Sequence, residues 1–144
     1  YVFGQITAAV FAALMLMVLL DPVGALGATT PSATVVQALG MECLLSFFLM
    51  FVITSVATDG RAVGQMAGLA IGSTVAMAAL FGGPISGASM NPARTLGPGL
   101  VSGEWQAIWV YLVGPVAGAM AGAWAYQLIR CEEDESVENA GGCC

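Results

Sequence analysis

Residues 86–100 read SGASMNPARTLGPGL, and the sequence Asn-Pro-Ala-Arg at positions 91–94 decides the fold. Asparagine is a favoured N-cap and proline is favoured at the first helical position, so a helix is predicted to begin at Pro92, capped by Asn91. It ends near Val101, which gives about ten residues and a length of roughly 15 Å. That is half of the hydrocarbon core of a bilayer. The sequence therefore predicts a re-entrant half-helix over residues 92–101, whose positive N-terminal end faces a solute path.

The composition is that of a membrane protein. Of the 144 residues, 58% are hydrophobic and 8% are charged, whereas a soluble domain has about 25% charged residues. The basic residues are Arg61, Arg94 and Arg130, which form no basic surface, so no nucleic-acid partner is expected. The chain has no histidine, and Glu42 is the only carboxylate within an apolar run. We therefore expect no metal site, no cofactor and no enzyme activity.

Four apolar stretches predict transmembrane spans, at about residues 1–20, 35–58, 64–81 and 105–130. Ser32 or Thr34 is the predicted N-cap of the second span. Gly82-Gly83-Pro84 predicts the end of the third span, and residues 82–89 are then expected to enter the membrane as irregular backbone. The predicted fold class is an all-α membrane protein with four spans and one re-entrant half-helix.

Three polar residues at membrane depth are candidates for function. Arg94 has donors that orient passing oxygens and a charge that repels cations, although it could instead be tied to carbonyls of residues 82–89. Asn91 is expected to cap the half-helix through its side-chain oxygen and to present its amide protons to a pore. Glu42 is expected to accept hydrogen bonds from amides of the irregular loop. A proton relay through Glu42 is the alternative, but a relay needs further titratable groups.

Glycines recur every four residues in the third and the last span. Small residues at this spacing let helix backbones approach closely in lipid, so tight packing of these two spans is predicted, with general glycine enrichment in membrane helices as the alternative. The residues are Gly64, Gly68 and Gly72 in the third span, and Gly114, Gly118 and Gly122 in the last.

Residues 1–130 resemble the last two thirds of a channel of the aquaporin (major intrinsic protein) family. The stretches GPISGASMNPARTLGP (83–98), DGRAVGQMAGLAIGSTV (59–75) and WVYLVGPVAGAMAGAWAYQLIR (109–130) are most similar to the plant nodulin-26-like subfamily. The resemblance implies an aquaporin-like helical bundle of which the first part is not in the chain. It also implies that Glu42 and Gln5 brace the loop around the Asn-Pro-Ala sequence, and that an intact channel is a homo-tetramer.

The resemblance further implies three positions of the family's selectivity filter. These are Arg94, Ala88 six residues before it and Ala79 fifteen residues before it. Family members that select water carry a histidine at the position of Ala79, so two alanines imply a wider path. The function implied is a passive channel for small neutral solutes, above all boric or arsenous acid, with water or glycerol also passing.

Two other functions stay open at this point. One is a water-selective channel, which the flux of boric acid relative to water would distinguish. The other is a non-conducting fragment that associates with full-length channels, because the first half-helix of the family's pore is not in the chain. Co-purification with a full-length relative, without added flux, would support this second alternative.

The few charges predict the orientation in the membrane. If the spans alternate, Arg61 and Arg130 lie on the same side, which the positive-inside rule makes the cytosol. Residues 131–144 contain five acids and are predicted to be a disordered cytosolic tail. The subfamily resemblance implies the plasma membrane.

Overall fold

The computed structural model describes residues 1–20, 23–59 and 64–130. Arg61 and the predicted tail at residues 131–144 lie outside these ranges. The described chain forms five α-helices: α1 (Val2–Leu20), α2 (Val35–Ile53), α3 (Ala67–Ser86), α4 (Pro92–Ser102) and α5 (Ile108–Ile129). Three shorter elements join them: a 3₁₀-helix (Val23–Gly27) after α1, a π-helical turn (Thr54–Thr58) after α2 and a 3₁₀-turn (Gly64–Met66) before α3.

Four helical segments are long and apolar enough to cross a bilayer: Val2–Leu20, Val35–Thr58, Gly64–Ser86 and Ile108–Ile129. The remaining helix, α4, has 11 residues and is roughly 16 Å long, about half of the hydrocarbon core. Large apolar side chains are exposed along the long helices, as in α1, where only Ala13 is buried within the described chain. These features confirm the predicted class, an all-α multi-pass membrane protein with four spans.

The start of α2 follows from a capping box. The Gln37 amide donates to Thr34 Oγ1 at 3.3 Å, and the Thr34 amide donates to Gln37 Oε1 at 3.1 Å. Each side chain therefore satisfies a backbone N–H that the helix leaves without a partner. Of the two caps predicted from the sequence, Thr34 is the one used.

The third span is longer than predicted. The sequence placed its end at residue 81, but α3 continues to Ser86, so irregular backbone is confined to residues 87–91. Gly82 lies where α3 packs against α2, and a Cβ there would lie 2.5 Å from Leu45 Cδ1. Pro84 lies in the last turn of α3 and has no N–H to donate to the Leu80 carbonyl. Gly87, with φ +84°, ends the helix and donates its N–H to the Gly83 carbonyl at 2.9 Å.

The last span begins later than predicted. Its helix starts at Ile108 rather than at residue 105, because Ala107 adopts a left-handed conformation with φ +49°. The Val110 amide donates to the Ala107 carbonyl at 2.9 Å, and Glu104 Oε1 accepts from the Gln106 amide at 3.2 Å. These bonds make residues 104–107 a turn between α4 and α5.

Close packing of the last span involves α2 rather than α3. A Cβ on Gly118 would lie 2.1 Å from the Cys43 carbonyl oxygen, and a Cβ on Gly122 would lie 2.3 Å from the Phe47 carbonyl oxygen. One turn earlier, a Cβ on Gly114 would lie 2.9 Å from the Cβ atom of Glu42. The glycines let the two backbones touch, as small residues do in membrane helices.

The glycines of the third span do not take part in this packing. A Cβ on any of the three would meet nothing within 4 Å in the described chain: Gly64, Gly68 and Gly72. Within the described chain, close packing is therefore seen at the glycines of the last span and not at those of the third, whose part in helix packing stays a prediction. The α3 helix packs instead on the other side of α2, through Ala78 and Leu45.

Helix α4 is held by α1. A Cβ on Gly97 would lie 2.4 Å from the Ala9 Cβ and 2.8 Å from the Ala9 carbonyl oxygen. At the far end of α4, the N–H of Gly103 donates to the Gly99 carbonyl at 3.0 Å. The half-helix thus lies between the first span and the turn that leads into α5.

Candidate functional site

The loop between α3 and α4, residues 87–91, has an unusual backbone. Ala88 has φ +45° and Met90 has φ +53°, and Gly87 is also left-handed. For residues with a Cβ this conformation costs on the order of 1–3 kcal/mol each. The loop must therefore be held by contacts with the surrounding helices.

Glu42 provides the first of these contacts. Its side chain is fully buried, with 0% of its surface exposed. Oε1 accepts from Ser86 Oγ at 2.7 Å and from the Ser89 amide at 2.9 Å, and Oε2 accepts from the Met90 amide at 2.8 Å. Among the described residues, these partners are hydroxyls and backbone amides rather than titratable groups. The arrangement favours support of the loop over a proton relay.

Ser86 and Tyr111 extend this support, and the sequence reasoning missed both. Ser86 Oγ accepts from the Ala88 amide at 3.2 Å, while the Ser86 carbonyl accepts from the Tyr111 hydroxyl at 2.6 Å. Tyr111 is fully buried. The available signal was a tyrosine in an apolar span, because a buried phenol needs a hydrogen-bond partner.

Asn91 and Pro92 begin α4. Asn91 has an extended backbone, and its Oδ1 accepts from the Ala93 amide at 2.9 Å. Its carbonyl accepts from the Thr95 amide at 3.3 Å, which is the first backbone bond of the helix. The positive end of the helix dipole is therefore directed at the space beside Asn91.

That space is a groove of about 400 Å³. It brings together four of the residues singled out from the sequence: Ala79, Ala88, Asn91 and Arg94. The other lining residues are Leu49, Val75, Gly83, Gly87, Ser89 and Met90. Pro92 and Ala93 are not among them, and Ala93 is buried against the protein. The groove combines apolar walls with one guanidinium and one carboxamide.

Arg94 is exposed to the groove, and its guanidinium makes one hydrogen bond within residues 1–20, 23–59 and 64–130. Its Nη1 donates to the Gly27 carbonyl at 3.4 Å. The alternative drawn from the sequence was a bond between this arginine and carbonyls of residues 82–89. The accepting carbonyl is instead that of Gly27, in the 3₁₀-helix after α1. A guanidinium has five N–H donors, and this bond uses one of them.

Gln5, which the family resemblance implies to brace the loop, lies in α1, and its bracing role stays a prediction. It lies in the exposed first turns of α1, where its amide donates to the Tyr1 carbonyl at 3.0 Å. Within the described ranges its side chain makes no hydrogen bond to the loop at residues 87–91. One turn later, Ala9 of α1 lies against Gly97 of α4.

A chain of three buried hydroxyls lies behind the groove. Thr29 Oγ1 is 2.7 Å from Thr95 Oγ1, which is 2.6 Å from Ser89 Oγ. Ser89 Oγ also contacts the Asn91 carbonyl at 2.9 Å. The sequence reasoning missed Thr29, Ser89 and Thr95. Thr29 lies in a loop and Thr95 lies in α4, 66 residues later, so no local sequence pattern relates the two.

The described residues contain no group of three or more His, Cys, Asp or Glu side chains that could hold a metal ion. Among the residues that line the groove, none offers a nucleophile paired with a base. The chemistry available here is hydrogen bonding and electrostatic repulsion of cations.

A family model described as "Major intrinsic protein" matches residues 1–126. The chain belongs to the major intrinsic protein family. It is 61% identical over 102 residues to Aquaporin NIP1-1 of Oryza sativa subsp. japonica, covering 71% of this chain and 36% of that protein. It is 58% identical over 102 residues to Nodulin-26 of Glycine max, covering 71% of this chain and 38% of that protein.

A longer match places the chain in the nodulin-26-like subfamily over most of its length. It is 50% identical over 137 residues to Aquaporin NIP1-2 of Oryza sativa subsp. japonica, covering 90% of this chain and 45% of that protein. The chain therefore spans less than half the length of these relatives. Major intrinsic proteins are membrane channels rather than enzymes, which confirms the prediction that the chain belongs to no enzyme family.

Proposed function

We propose that this chain forms one wall of a passive transmembrane channel for small neutral solutes, with boric and arsenous acid as preferred solutes and water and glycerol also passing. The observation that carries the proposal is the groove in which Ala79, Ala88, Asn91 and Arg94 lie together. The following arguments concern charge, width and hydrogen bonding in that groove.

The charges in the groove favour neutral solutes. The N-terminal end of α4 carries a partial positive charge, and Arg94 adds a full one within the same groove. A cation entering it meets repulsion in a region of low dielectric, where it also loses its hydration. A neutral solute avoids both costs, so the groove supports passage of uncharged molecules.

The width of the groove favours solutes larger than water. Ala79 and Ala88 each present only a methyl group where a larger side chain would narrow the path. A neutral triol such as boric acid is wider than water and needs donors that replace its hydration. Arg94 supplies such donors beside the two alanines, which supports metalloid hydroxides over water alone.

Stopped-flow measurement of solute flux tests this proposal. The chain would be reconstituted in liposomes alone and as a fusion to the amino-terminal segment of rice Aquaporin NIP1-1. We expect boric-acid flux from the fusion. We also expect Ala79→His in the fusion to lower boric-acid flux strongly while leaving water flux nearly unchanged, because the added ring occupies width that only the larger solute needs.

The alternatives give different outcomes in the same experiment. Water flux without boric-acid flux from the fusion would make the channel water-selective. If neither form conducts, but the chain co-purifies with the full-length rice relative, the chain is a non-conducting partner of such channels. Boric-acid flux from the chain alone would mean that it forms a path without the segment that its relatives add.

Assembly and location are part of the same proposal. The family resemblance supports a homo-tetramer in the plasma membrane with a cytosolic C-terminus, provided that the first part of the fold is present. Chemical cross-linking of the fusion in lipid nanodiscs should then give a ladder that ends at the tetramer.

A further inference from the structure

We call the segment at residues 25–33 the outer loop and the segment at residues 87–91 the pore loop. The outer loop contacts the pore loop and its neighbours at several points. The Gly27 carbonyl accepts from Arg94, and the amides of Ser32 and Ala33 donate to the Ile85 carbonyl at 3.1 and 3.3 Å. A Cβ placed on Gly87 would lie 3.3 Å from Thr29 Cγ2. The outer loop thus contacts residues on both sides of the pore loop at residues 87–91.

Thr29 is a buried polar residue of the outer loop. It is 5% exposed, and its hydroxyl pairs with that of Thr95, which is 4% exposed. Thr95 in turn pairs with Ser89, and Ser89 contacts the Asn91 carbonyl. Ser89 Oγ donates to the Asn91 carbonyl, whereas the partner of the Thr29 hydroxyl among the described residues is Thr95. Because a buried hydroxyl without a partner is costly, the Thr29–Thr95 pair ties the position of Thr29 to that of Ser89.

Ser89 is the point where two supports of the pore loop meet. Its amide donates to Glu42 Oε1 from one side, and its hydroxyl belongs to the Thr29–Thr95 chain on the other. The residues on either side of it, Ala88 and Met90, have left-handed backbones that need external support. Both also line the groove. A shift of Ser89 therefore moves groove-lining residues.

We propose that Thr29 is a specificity-determining positioning residue, whose hydroxyl acts through Thr95 and Ser89 to fix the width of the groove at Ala88 and Asn91. The part of this inference that concerns solutes rests on the proposed channel function. Thr29 itself touches no solute. It holds the pore loop from the side opposite to Glu42.

The first test measures the loop directly and needs no conduction. Hydrogen exchange would be followed by mass spectrometry in the full chain in nanodiscs, for Thr29→Val and Thr29→Ser. Valine keeps the shape and removes the hydroxyl, whereas serine keeps the hydroxyl. We expect Thr29→Val to speed exchange of the Ser89 and Met90 amides about tenfold, the factor expected when one hydrogen bond is lost. Thr29→Ser should exchange like the parent.

Amides of α2 and α5 near Cys43 and Gly118 provide the internal control, because they lie in a separate helix contact. Their exchange should be the same in all three proteins. Unchanged exchange at Ser89 and Met90 in Thr29→Val would overturn the inference. So would equal acceleration throughout α2 and α5, since that result would assign Thr29 a general role in folding.

The second test concerns the solutes and uses the fusion with the amino-terminal segment of rice Aquaporin NIP1-1. We expect Thr29→Val to raise the ratio of glycerol to boric-acid flux and Thr29→Ser to restore it. An unchanged ratio in a conducting fusion would overturn the inference. A parent fusion that conducts no solute would refute the proposed function instead, and the exchange measurement would still decide whether Thr29 positions the loop.

Discussion

At the scale of single residues, Glu42 supports the loop at residues 87–91 through its buried carboxylate. One buried carboxylate accepts three hydrogen bonds from the loop and from the end of α3. Two of the three donors are backbone amides, which only a proline at position 89 or 90 would remove. The carboxylate therefore satisfies polar groups that the membrane interior cannot.

Glu42→Gln should lower the free energy of unfolding by about 2–3 kcal/mol, because the amide nitrogen of glutamine would face a donor and one N–H would lose its acceptor. The measurement is reversible unfolding in mixed micelles, followed by tryptophan fluorescence. The matched control is Glu104→Gln in the turn before α5, where the carboxylate is not buried in the protein. Equal effects of the two substitutions would contradict the role assigned to Glu42.

Ser46 presents the opposite case to Glu42. It is 3% exposed, and its Oγ has no hydrogen-bond partner among the described residues. Ser46→Ala removes this hydroxyl and improves helix propensity, so we expect stability to rise by up to about 1 kcal/mol. Ser86→Ala, measured in the same way, should destabilise, because the Ser86 hydroxyl donates to Glu42. A clear loss of stability in Ser46→Ala would show that its hydroxyl has a partner after all.

At the scale of elements, the contact between α2 and α5 determines how tightly the bundle closes. Three glycines of α5 lie directly against backbone or Cβ atoms of α2. Side chains at these positions would force the helices apart and remove dispersion contacts along their whole length.

Gly118→Ala and Gly68→Ala form a matched pair that tests this contact. The new Cβ at 118 would meet the Cys43 carbonyl, whereas the one at 68 meets nothing within 4 Å. Overpacking in a close contact costs typically 1–3 kcal/mol, so Gly118→Ala should destabilise by about that amount. Gly68→Ala should stabilise by roughly 0.5–1 kcal/mol, because alanine is the better helix former. Unfolding in mixed micelles measures the change in the free energy of unfolding for both variants. Similar changes would refute the conclusion that the glycines of α5, and not Gly68 of α3, lie in a close helix contact.

The elements also show what the sequence could and could not predict. The start of α4 was predictable because an Asn cap followed by Pro acts within one turn. The end of α3 was not, because Gly82 and Pro84 break helices in isolation, whereas here Gly82 packs against Leu45 and the helix ends only at the hydrogen-bonded turn of Gly87. A four-residue glycine period indicated close packing, but it carries no information about which helix is the partner.

The candidate site followed the same division between local and distant contacts. The resemblance to known channels singled out Ala79, Ala88 and Arg94, which lie together in one groove, whereas Pro92 and Ala93 do not line it. The role of these residues in a pore stays a prediction. The contact of Glu42 with loop amides was predicted from the cost of a carboxylate in an apolar span. The hydroxyl chain was not predictable, since Thr29 and Thr95 are separated by 66 residues and neither is unusual in its own segment. Such contacts depend on the assembled bundle.

At the scale of the whole molecule, the order of the helices places the loops on two sides of a membrane. Successive spans cross the membrane in opposite directions. The outer loop follows the first of the four spans and the turn at residues 104–107 follows the third, so these two segments lie on the same side. The ends of α2 and α5 meet on the other side, where the Tyr126 hydroxyl bonds to the Asp59 carboxylate.

Labelling of single cysteines with a membrane-impermeant maleimide tests this arrangement. In a background without the native cysteines, Gln106→Cys and Ala57→Cys should be labelled from opposite sides of sealed vesicles, because both positions are exposed and lie at opposite ends of the spans. Lysis of the vesicles should make both reactive, which controls for burial. Labelling of both positions from the same side would overturn the four-span topology.

The left-handed backbone of Ala88 has a consequence for how the proposed channel would change over evolutionary time. Replacement by glycine would widen the path by a methyl group and relieve the strain of φ +45° at once. Replacement by a larger, β-branched residue would narrow the path and add strain. In the proposed channel, selection for a broader solute range and selection for stability both favour glycine at position 88. Selection for a narrower range favours larger residues, which strain the left-handed backbone.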